Sequence, residues 1–188
     1  MMKTESLWHG SIQQSIFHEL VEAFSRPGEV CDLTCWIEGT TAQRAVLATL
    51  MDGEATLADP HNQIAAADWS LLQARRGTVE TARYVVIDGG RAPDFQPAMG
   101  SLESPEFGAT LLIEVTAVGD GSLFMELAGP GIDGQRTLRL AGLHADWLHR
   151  RADWVAAFPL GVDFIFFDTN RIVALPRTTL VAHGSRLT

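Results

Sequence analysis

Apolar residues recur at helical spacing in four parts of the chain. In the first part, residues three or four apart are Ile12, Ile16, Phe17, Leu20, Val21 and Phe24. They predict a helix over Ser11–Phe24, which Pro27-Gly28 ends. Further helices are predicted over 40–51 and 143–157. Another begins with Asp59 as N-cap and Pro60 as first helical residue, and Arg75, Arg76 and Gly77 suit its C-terminal end.

Short apolar runs bounded by turn residues predict strands. The predicted strands cover residues 30–37, 54–58, 83–88, 110–118, 122–128, 162–167 and 172–175, and 135–140 alternates like a strand. Gly119-Asp120-Gly121 predicts a hairpin between the 110–118 and 122–128 strands. The early alternation of helices and strands and the later hairpins predict an α/β fold, a mixed β-sheet covered by helices. The length of 188 residues predicts one domain, 1–188.

The last predicted hairpin has unusual punctuation. Pro159 and Gly161 precede its first strand, and Pro176 ends its second because proline has no N–H. Arg177 and Thr178 then emerge at the strand end, where an α/β fold usually presents its functional groups. Asp163 begins a strand that is otherwise apolar, and a buried carboxylate needs a partner. Pairing of Asp163 with Arg177 is therefore a hypothesis.

Composition removes several classes of function. The net charge is −9, and the sequence shows no basic face of the kind that nucleic-acid-binding domains usually carry. No apolar run approaches the roughly 20 residues of a membrane span, and the N-terminus has no signal-peptide pattern, so the cytoplasm is expected. Lys3 is the sole lysine, which excludes an interior Schiff base and a Walker A loop. Any phosphate binding would need arginine, backbone N–H groups or hydroxyls.

Metal and nucleophile chemistry also lack a convincing residue set. Cys31 and Cys35, the two cysteines, have no histidine partners nearby and are expected to be free thiols. The histidines are scattered, and no serine or cysteine lies in a nucleophile elbow or beside an obvious base. We therefore predict no metal site and no catalytic residue in this chain alone.

The segment from Gly129 to Gly134 has the spacing of a dinucleotide-binding loop. A helix would have to begin inside that loop, whereas a strand-like pattern follows it, and Pro130 removes one amide donor. Gly129, Pro130 and Gly131 are thus interpreted as a tight turn that can shape a loop against a partner.

Four motifs occur together in order along the chain. They are Ser25-Arg26-Pro27-Gly28, Pro105-Glu106-Phe107-Gly108-Ala109-Thr110, Leu127-Ala128-Gly129-Pro130-Gly131-Ile132, and the pair FPLGVD (158–163) with ALPRTT (174–179). In these motifs, their order and its length, the chain resembles the H subunit of the bacterial carbon–phosphorus lyase system.

The resemblance implies a fold, a role and partners. The implied fold is like the large domain of pyridoxal-phosphate-dependent transferases, but without that cofactor or any other. The implied role is in a complex that forms ribose 1-phosphonate 5-triphosphate from a purine nucleoside triphosphate and a phosphonate. The expected partners are the G, I and J subunits, and the isolated chain is expected to be a homodimer.

Four residues are candidates for contact with a ligand or partner: Arg26, Asp163, Arg177 and Thr178. Arg26 or Arg177 could clamp a phosphate or a partner carboxylate, or it could stabilise the fold by capping a helix or by pairing with an internal aspartate. Two alternatives to the subunit role stay open. One is a free-standing, arginine-based transferase acting on a phosphorylated small molecule, and the other is a scaffold that binds no ligand.

Overall fold

Four α-helices and two short 3₁₀ turns are present in the computed structural model, which describes residues 6–183; Lys3 lies outside that range. The helices are α1 (Gly10–Ser25), α2 (Ala42–Leu50), α3 (Ala66–Leu72) and α4 (Asp146–Val155). The 3₁₀ turns are Ser6–Trp8 and Pro105–Phe107. Helices α1, α2 and α4 confirm the predicted helical segments to within a few residues. No helix among the described residues is long and apolar enough to cross a membrane.

Residues 6–183 contain ten strands, which form two sheets. They are β1 (Cys31–Asp32), β2 (Thr56–Ala58), β3 (Arg75–Arg76), β4 (Tyr84–Asp88), β5 (Thr110–Glu114), β6 (Ala117–Ala128), β7 (Arg136–Ala141), β8 (Asp163–Phe167), β9 (Arg171–Leu175) and β10 (Leu180–His183). The larger sheet has the order β1-β9-β8-β5-β4-β2-β3 and the smaller one β10-β6-β7. Strands β3, β2, β4, β5 and β8 are parallel, whereas β9 is antiparallel to β8 and to β1.

The two faces of the larger sheet have different covers. Along β5, Leu112 belongs to a core cluster shared with α1 and α2, whereas Leu111 and Ile113 belong to one shared with α4 and the smaller sheet. The same alternation runs through β8, because successive side chains of a strand point to opposite faces. The prediction of an α/β fold with a mixed sheet covered by helices is confirmed.

The predicted third helix is wrong in its bounds. Asp59 does accept backbone N–H groups, from Gln63 and Ile64 at 2.8 Å each, but these bonds close a turn. Asn62 has a φ of 54°, a left-handed conformation that a helix cannot continue through. The helix begins only at Ala66 and ends at Leu72, and the arginines expected at its C-terminus form β3 instead.

The hairpin predicted at Gly119-Asp120-Gly121 is also wrong. Strand β5 ends at Glu114 in the larger sheet, and Ala117–Ala128 is a single strand of the smaller sheet. Its pairing with β7 shifts between Val118 and Leu123, so the glycine-containing segment is a bulge within a strand. Gly121 has a φ of 134° and lies against the carbonyl of Leu140, where a side chain has no room.

The late hairpin is confirmed, while the strand predicted over 30–37 shrinks to β1. After β1, the Asp32 carboxylate accepts the N–H of Thr34 at 2.8 Å, which turns the chain away from the sheet.

On α4, the indole rings of Trp147 and Trp154 are almost completely buried in the core. These two tryptophans therefore serve packing within the chain rather than an exposed interface.

Candidate functional site

The motif residues lie at the end of the larger sheet where the parallel strands begin, here called the amino edge. Arg177 follows β9, which is antiparallel to β8, so the arginine lies beside Asp163, the first residue of β8. The expectation that Arg177 occupies the edge at which α/β folds usually bind ligands is wrong. The reversal of a single strand at the hairpin moves it to the opposite edge.

Arg177 and Asp163 form the predicted ion pair. The Nη2 of Arg177 donates to Oδ2 of Asp163 at 2.6 Å, and its Nε and backbone N–H donate to Oδ1 at 3.2 and 2.7 Å. Its Nη1 donates to the carbonyls of Pro105 at 2.9 Å and Pro159 at 3.3 Å. The side chains are 12% and 18% exposed, respectively. The guanidinium thus ties together the loops that precede β5 and β8.

Arg151 is a second buried cation at this edge, and sequence reasoning missed it. It lies on α4 and is 2% exposed, and its Nη2 donates to the carbonyls of Pro176 at 2.7 Å and Thr179 at 3.1 Å. Burial lowers the pKa of the Arg151 guanidinium to about 10, and the charge of Asp163 opposes that shift. Arg151 therefore anchors the turn that carries Thr178, whose own side chain is exposed.

The Gly129-Pro130-Gly131 turn packs against the first motif. Gly131 has a φ of 80° and lies against the carbonyl of Ser25, and a side chain on it would also approach Pro27 Cδ at 2.9 Å. A Cβ on Gly129 would lie 3.1 Å from the carbonyl oxygen of Thr178. No helix follows the turn, because β7 begins at Arg136. The dinucleotide-loop alternative therefore has no structural support.

Arg26 is exposed, and its side chain forms surface ion pairs. It contacts Glu22 at 3.2 Å and Glu29 at 3.8 Å, and its side chain is 57% exposed. Arg136, another residue that sequence reasoning missed, donates from Nη1 to the carbonyls of Arg26 at 3.1 Å and Pro27 at 2.9 Å. A ligand- or partner-binding role for Arg26 and Thr178 stays a prediction.

The four motifs consequently form one network. Arg136 joins the Ser25–Gly28 segment to the smaller sheet, and the N–H of Gly28 donates to the carbonyl of Ala174 at 3.2 Å. Gly108 lies against the carbonyl of Gly161, so the backbones of the loops that precede β5 and β8 are in direct contact. The residues that mark the sequence thus hold loops together at one end of the molecule.

The opposite edge of the sheet, where the parallel strands end, has a different character. A polar depression of about 400 Å³ is lined there by Asp32, Thr34, Thr116 and the turn of residues 168–171. Burial would raise the pKa of Asp168, but hydrogen bonds from the amides of Val118, Asn170 and Arg171 and from the Arg171 side chain outweigh it, so the pKa is lowered. Asp168 is thereby occupied in shaping its own turn.

Metal-ligating clusters are absent from the described residues. Cys31 is half-buried and Cys35 is exposed, and neither forms a disulfide. Burial, with Glu19, Glu29 and Glu22 nearby, raises the pKa of the Cys31 thiol to about 11. Such a thiol is a poor nucleophile at neutral pH.

Comparison with known proteins places these features in a family. The model of the family described as "Bacterial phosphonate metabolism protein (PhnH)" matches residues 7–182. A candidate C-P lyase subunit, HtxG, from Stutzerimonas stutzeri is 40% identical over 173 residues, which cover 92% of this chain and 87% of the relative. The alpha-D-ribose 1-methylphosphonate 5-triphosphate synthase subunit PhnH of Rhizobium meliloti (strain 1021) is 30% identical over 177 residues, 88% of each chain.

Proposed function

The chain belongs to the PhnH family of bacterial phosphonate metabolism proteins, and from that premise we propose that it is a subunit of a carbon–phosphorus lyase complex. The observation that carries the proposal is the identity of 40% to a candidate C-P lyase subunit and of 30% to an alpha-D-ribose 1-methylphosphonate 5-triphosphate synthase subunit, each over nearly its whole length. The expected reaction of the complex is the formation of ribose 1-phosphonate 5-triphosphate from a purine nucleoside triphosphate and a phosphonate.

Within that complex, this chain supports the reaction without carrying it out alone. The geometry of its arginines favours this division. Arg177 directs its guanidinium to Asp163 and two carbonyls, and Arg151 directs its own to two carbonyls. A free-standing, arginine-based transferase would need such a group aimed at a ligand.

We propose that this chain assembles with the G, I and J subunits in the cytoplasm. The isolated chain is proposed to form a homodimer. The names of the relatives support the presence of other subunits, since both are called subunits. The number and identity of those partners rest on the resemblance alone.

The fold we propose is that of the large domain of pyridoxal-phosphate-dependent transferases, in one domain and without the cofactor. The seven-stranded sheet with five parallel strands supports it. The proposal that the cofactor is not bound has its own support. No described residue is a lysine, the residue that would bind pyridoxal phosphate as a Schiff base. One apolar cluster spans both sheets, which favours a single unit.

Co-expression tests the function. This chain, carrying one affinity tag, is produced with the G, I and J subunits from the same source, and the eluate is analysed by gel filtration and mass measurement. We expect stoichiometric co-purification, and formation of the ribose phosphonate only when the chain is present. Elution of the chain alone, with transfer activity of its own, would establish the free-standing transferase instead.

A further inference from the structure

Three large apolar side chains stand out from the amino edge into solvent. Leu102 is 77% exposed, Phe107 66% and Phe158 64%. Phe107 precedes β5, Phe158 precedes β8, and Leu102 lies in the turn between Ser101 and Ser104. Large apolar side chains that neighbouring loops leave exposed are typical of protein–protein contact sites.

The loops that carry these side chains are tied to each other and to the sheet. The same Nη1 of Arg177 holds the carbonyls of Pro105 and Pro159, and the N–H of Gly161 donates to the carbonyl of Met99 at 3.0 Å. The Nη1 of Arg83 donates to the carbonyls of Glu106 and Gly108. Loops held in this way lose little conformational entropy when a partner binds.

A groove of about 390 Å³ runs beside Phe107. Its apolar walls include Leu50, Tyr84 and Phe107, and its carboxylates are Asp52, Glu54 and Glu106. This combination fits an arginine or lysine, whose aliphatic stem packs on apolar walls while its charge meets a carboxylate.

The charges of the groove are not balanced internally. Glu54 pairs with Arg75 at 2.9 Å, and Asp52 accepts backbone N–H groups. Arg83 also lines the groove, but it donates to the two carbonyls named above. Among the residues that the structure describes, the side chains of Glu106 and its neighbour Glu103 have no ion-pair partner.

We propose that the surface formed by Leu102, Glu103, Glu106, Phe107 and Phe158 is the docking site for another subunit of the complex, one that inserts an arginine or lysine into the groove beside Phe107. This inference rests on the proposed function and names the surface through which it is exercised. A second copy of the chain is a poorer occupant. A two-fold contact would place the same acidic surface on both sides, and Arg83, the cation in the groove lining, already donates to the carbonyls of Glu106 and Gly108.

Affinity measurements on the co-expressed subunits test the surface. The tagged chain is titrated against the complex of the other subunits by biolayer interferometry. We expect the double variant Leu102→Ser/Phe107→Ser to bind at least about tenfold more weakly, with an unchanged Tm, since both side chains are exposed. Glu106→Arg is expected to weaken binding to a similar extent. Higher salt is expected to weaken binding of the wild-type chain, and to weaken binding of a Glu106→Gln variant less, because that variant lacks the carboxylate.

Leu71→Ser is the matched control, because Leu71 is 44% exposed on α3. It should bind within twofold of wild type. If wild type binds and the Leu102→Ser/Phe107→Ser and Glu106→Arg variants bind equally well, the docking surface is wrong while the proposed function stands. If the wild-type chain itself does not bind the other subunits, the proposed function is contradicted, and the docking surface with it. If the variants convert a dimer of the isolated chain to a monomer in light scattering, the surface serves a second copy and the inference is overturned.

Discussion

The ion pair between Asp163 and Arg177 offers the sharpest test of how the amino edge is held. Replacing Asp163 by Asn keeps the shape of the side chain but removes the charge that faces Nε and Nη2 of Arg177. The guanidinium, 12% exposed, would then be buried without a counterion. It would lie near Arg151, whose pKa already reflects the charge of Asp163.

The magnitude follows from the burial of the pair. Breaking a buried pair by removing one partner costs about 3–5 kcal/mol. Because Asp163 is 18% exposed, water screens part of the charge, and about 3 kcal/mol at the lower end is expected. For a chain of this size, that loss lowers the Tm by about 6–12 °C. Urea unfolding followed by tryptophan fluorescence, with calorimetry beside it, measures both quantities.

A double-mutant cycle separates the pair from its surroundings. Arg177→Met, and its combination with Asp163→Asn, should give a coupling energy of about 1–3 kcal/mol, because the double variant also removes the guanidinium that Asp163→Asn alone leaves without its counterion. The exposed pair of Glu54 and Arg75, with side chains 88% and 59% exposed, supplies the control. Glu54→Gln should leave the unfolding midpoint unchanged. A loss below about 1 kcal/mol for Asp163→Asn would refute the view that this pair anchors the edge.

Four further outcomes follow from the geometry. At pH 8, iodoacetamide should modify Cys31 about 100-fold more slowly than a thiol with a pKa of 9.0, since burial raises its pKa to about 11, and peptide mass spectrometry should find Cys35 modified first. The stability that the Cys31 thiol contributes is present below pH 9.0 and is lost as the pH rises towards about 11, so Cys31→Ser should flatten this part of the stability profile measured by urea titration. Asp168 has a lowered pKa, so its stabilisation is present above the ordinary aspartate pKa of 3.8 and is lost as the pH falls below that value. The difference in stability between wild type and Asp168→Asn should therefore narrow in acid. Gly131→Ala should lower the Tm well beyond Gly134→Ala, because both glycines have positive φ but only Gly131 lies against another backbone.

The sequence pattern predicted α1, α2 and α4 because each of these helices buries an apolar face. It predicted the late hairpin because the strands of that hairpin are apolar on both faces. It failed where a few polar residues decide the path of the chain. Asn62 in a left-handed conformation delays α3, and Gly121 against Leu140 turns a predicted hairpin into a bulge. Neither conformation leaves a periodic signal. The pairing of Asp163 with Arg177 could be foreseen, since a carboxylate in an apolar strand needs a partner.

The edge on which that pair lies could not be foreseen. The hairpin fixes only that β9 is antiparallel to β8. The edge depends on whether β8 itself runs parallel to β5, which is a property of topology. Arg136 and Arg151 were missed for a related reason, because both donate to backbone carbonyls far away in sequence. A carbonyl is present at every residue, so its use as an acceptor has no sequence signature.

The two edges of the sheet consequently favour different tasks. In α/β sheets, ligands usually bind where the parallel strands end, and here β4, β5 and β8 end at Asp88, Glu114 and Phe167, with Asp168 next in the chain. Carboxylates at that edge disfavour a nucleoside triphosphate unless another subunit supplies the cations, since Arg171, which lines the depression there, is already paired with Asp168 at 2.7 Å. The amino edge, by contrast, combines braced loops with exposed apolar side chains and an acidic groove. A chain whose motifs all stabilise the second edge is therefore better suited to hold a neighbouring subunit than to bind the triphosphate by itself.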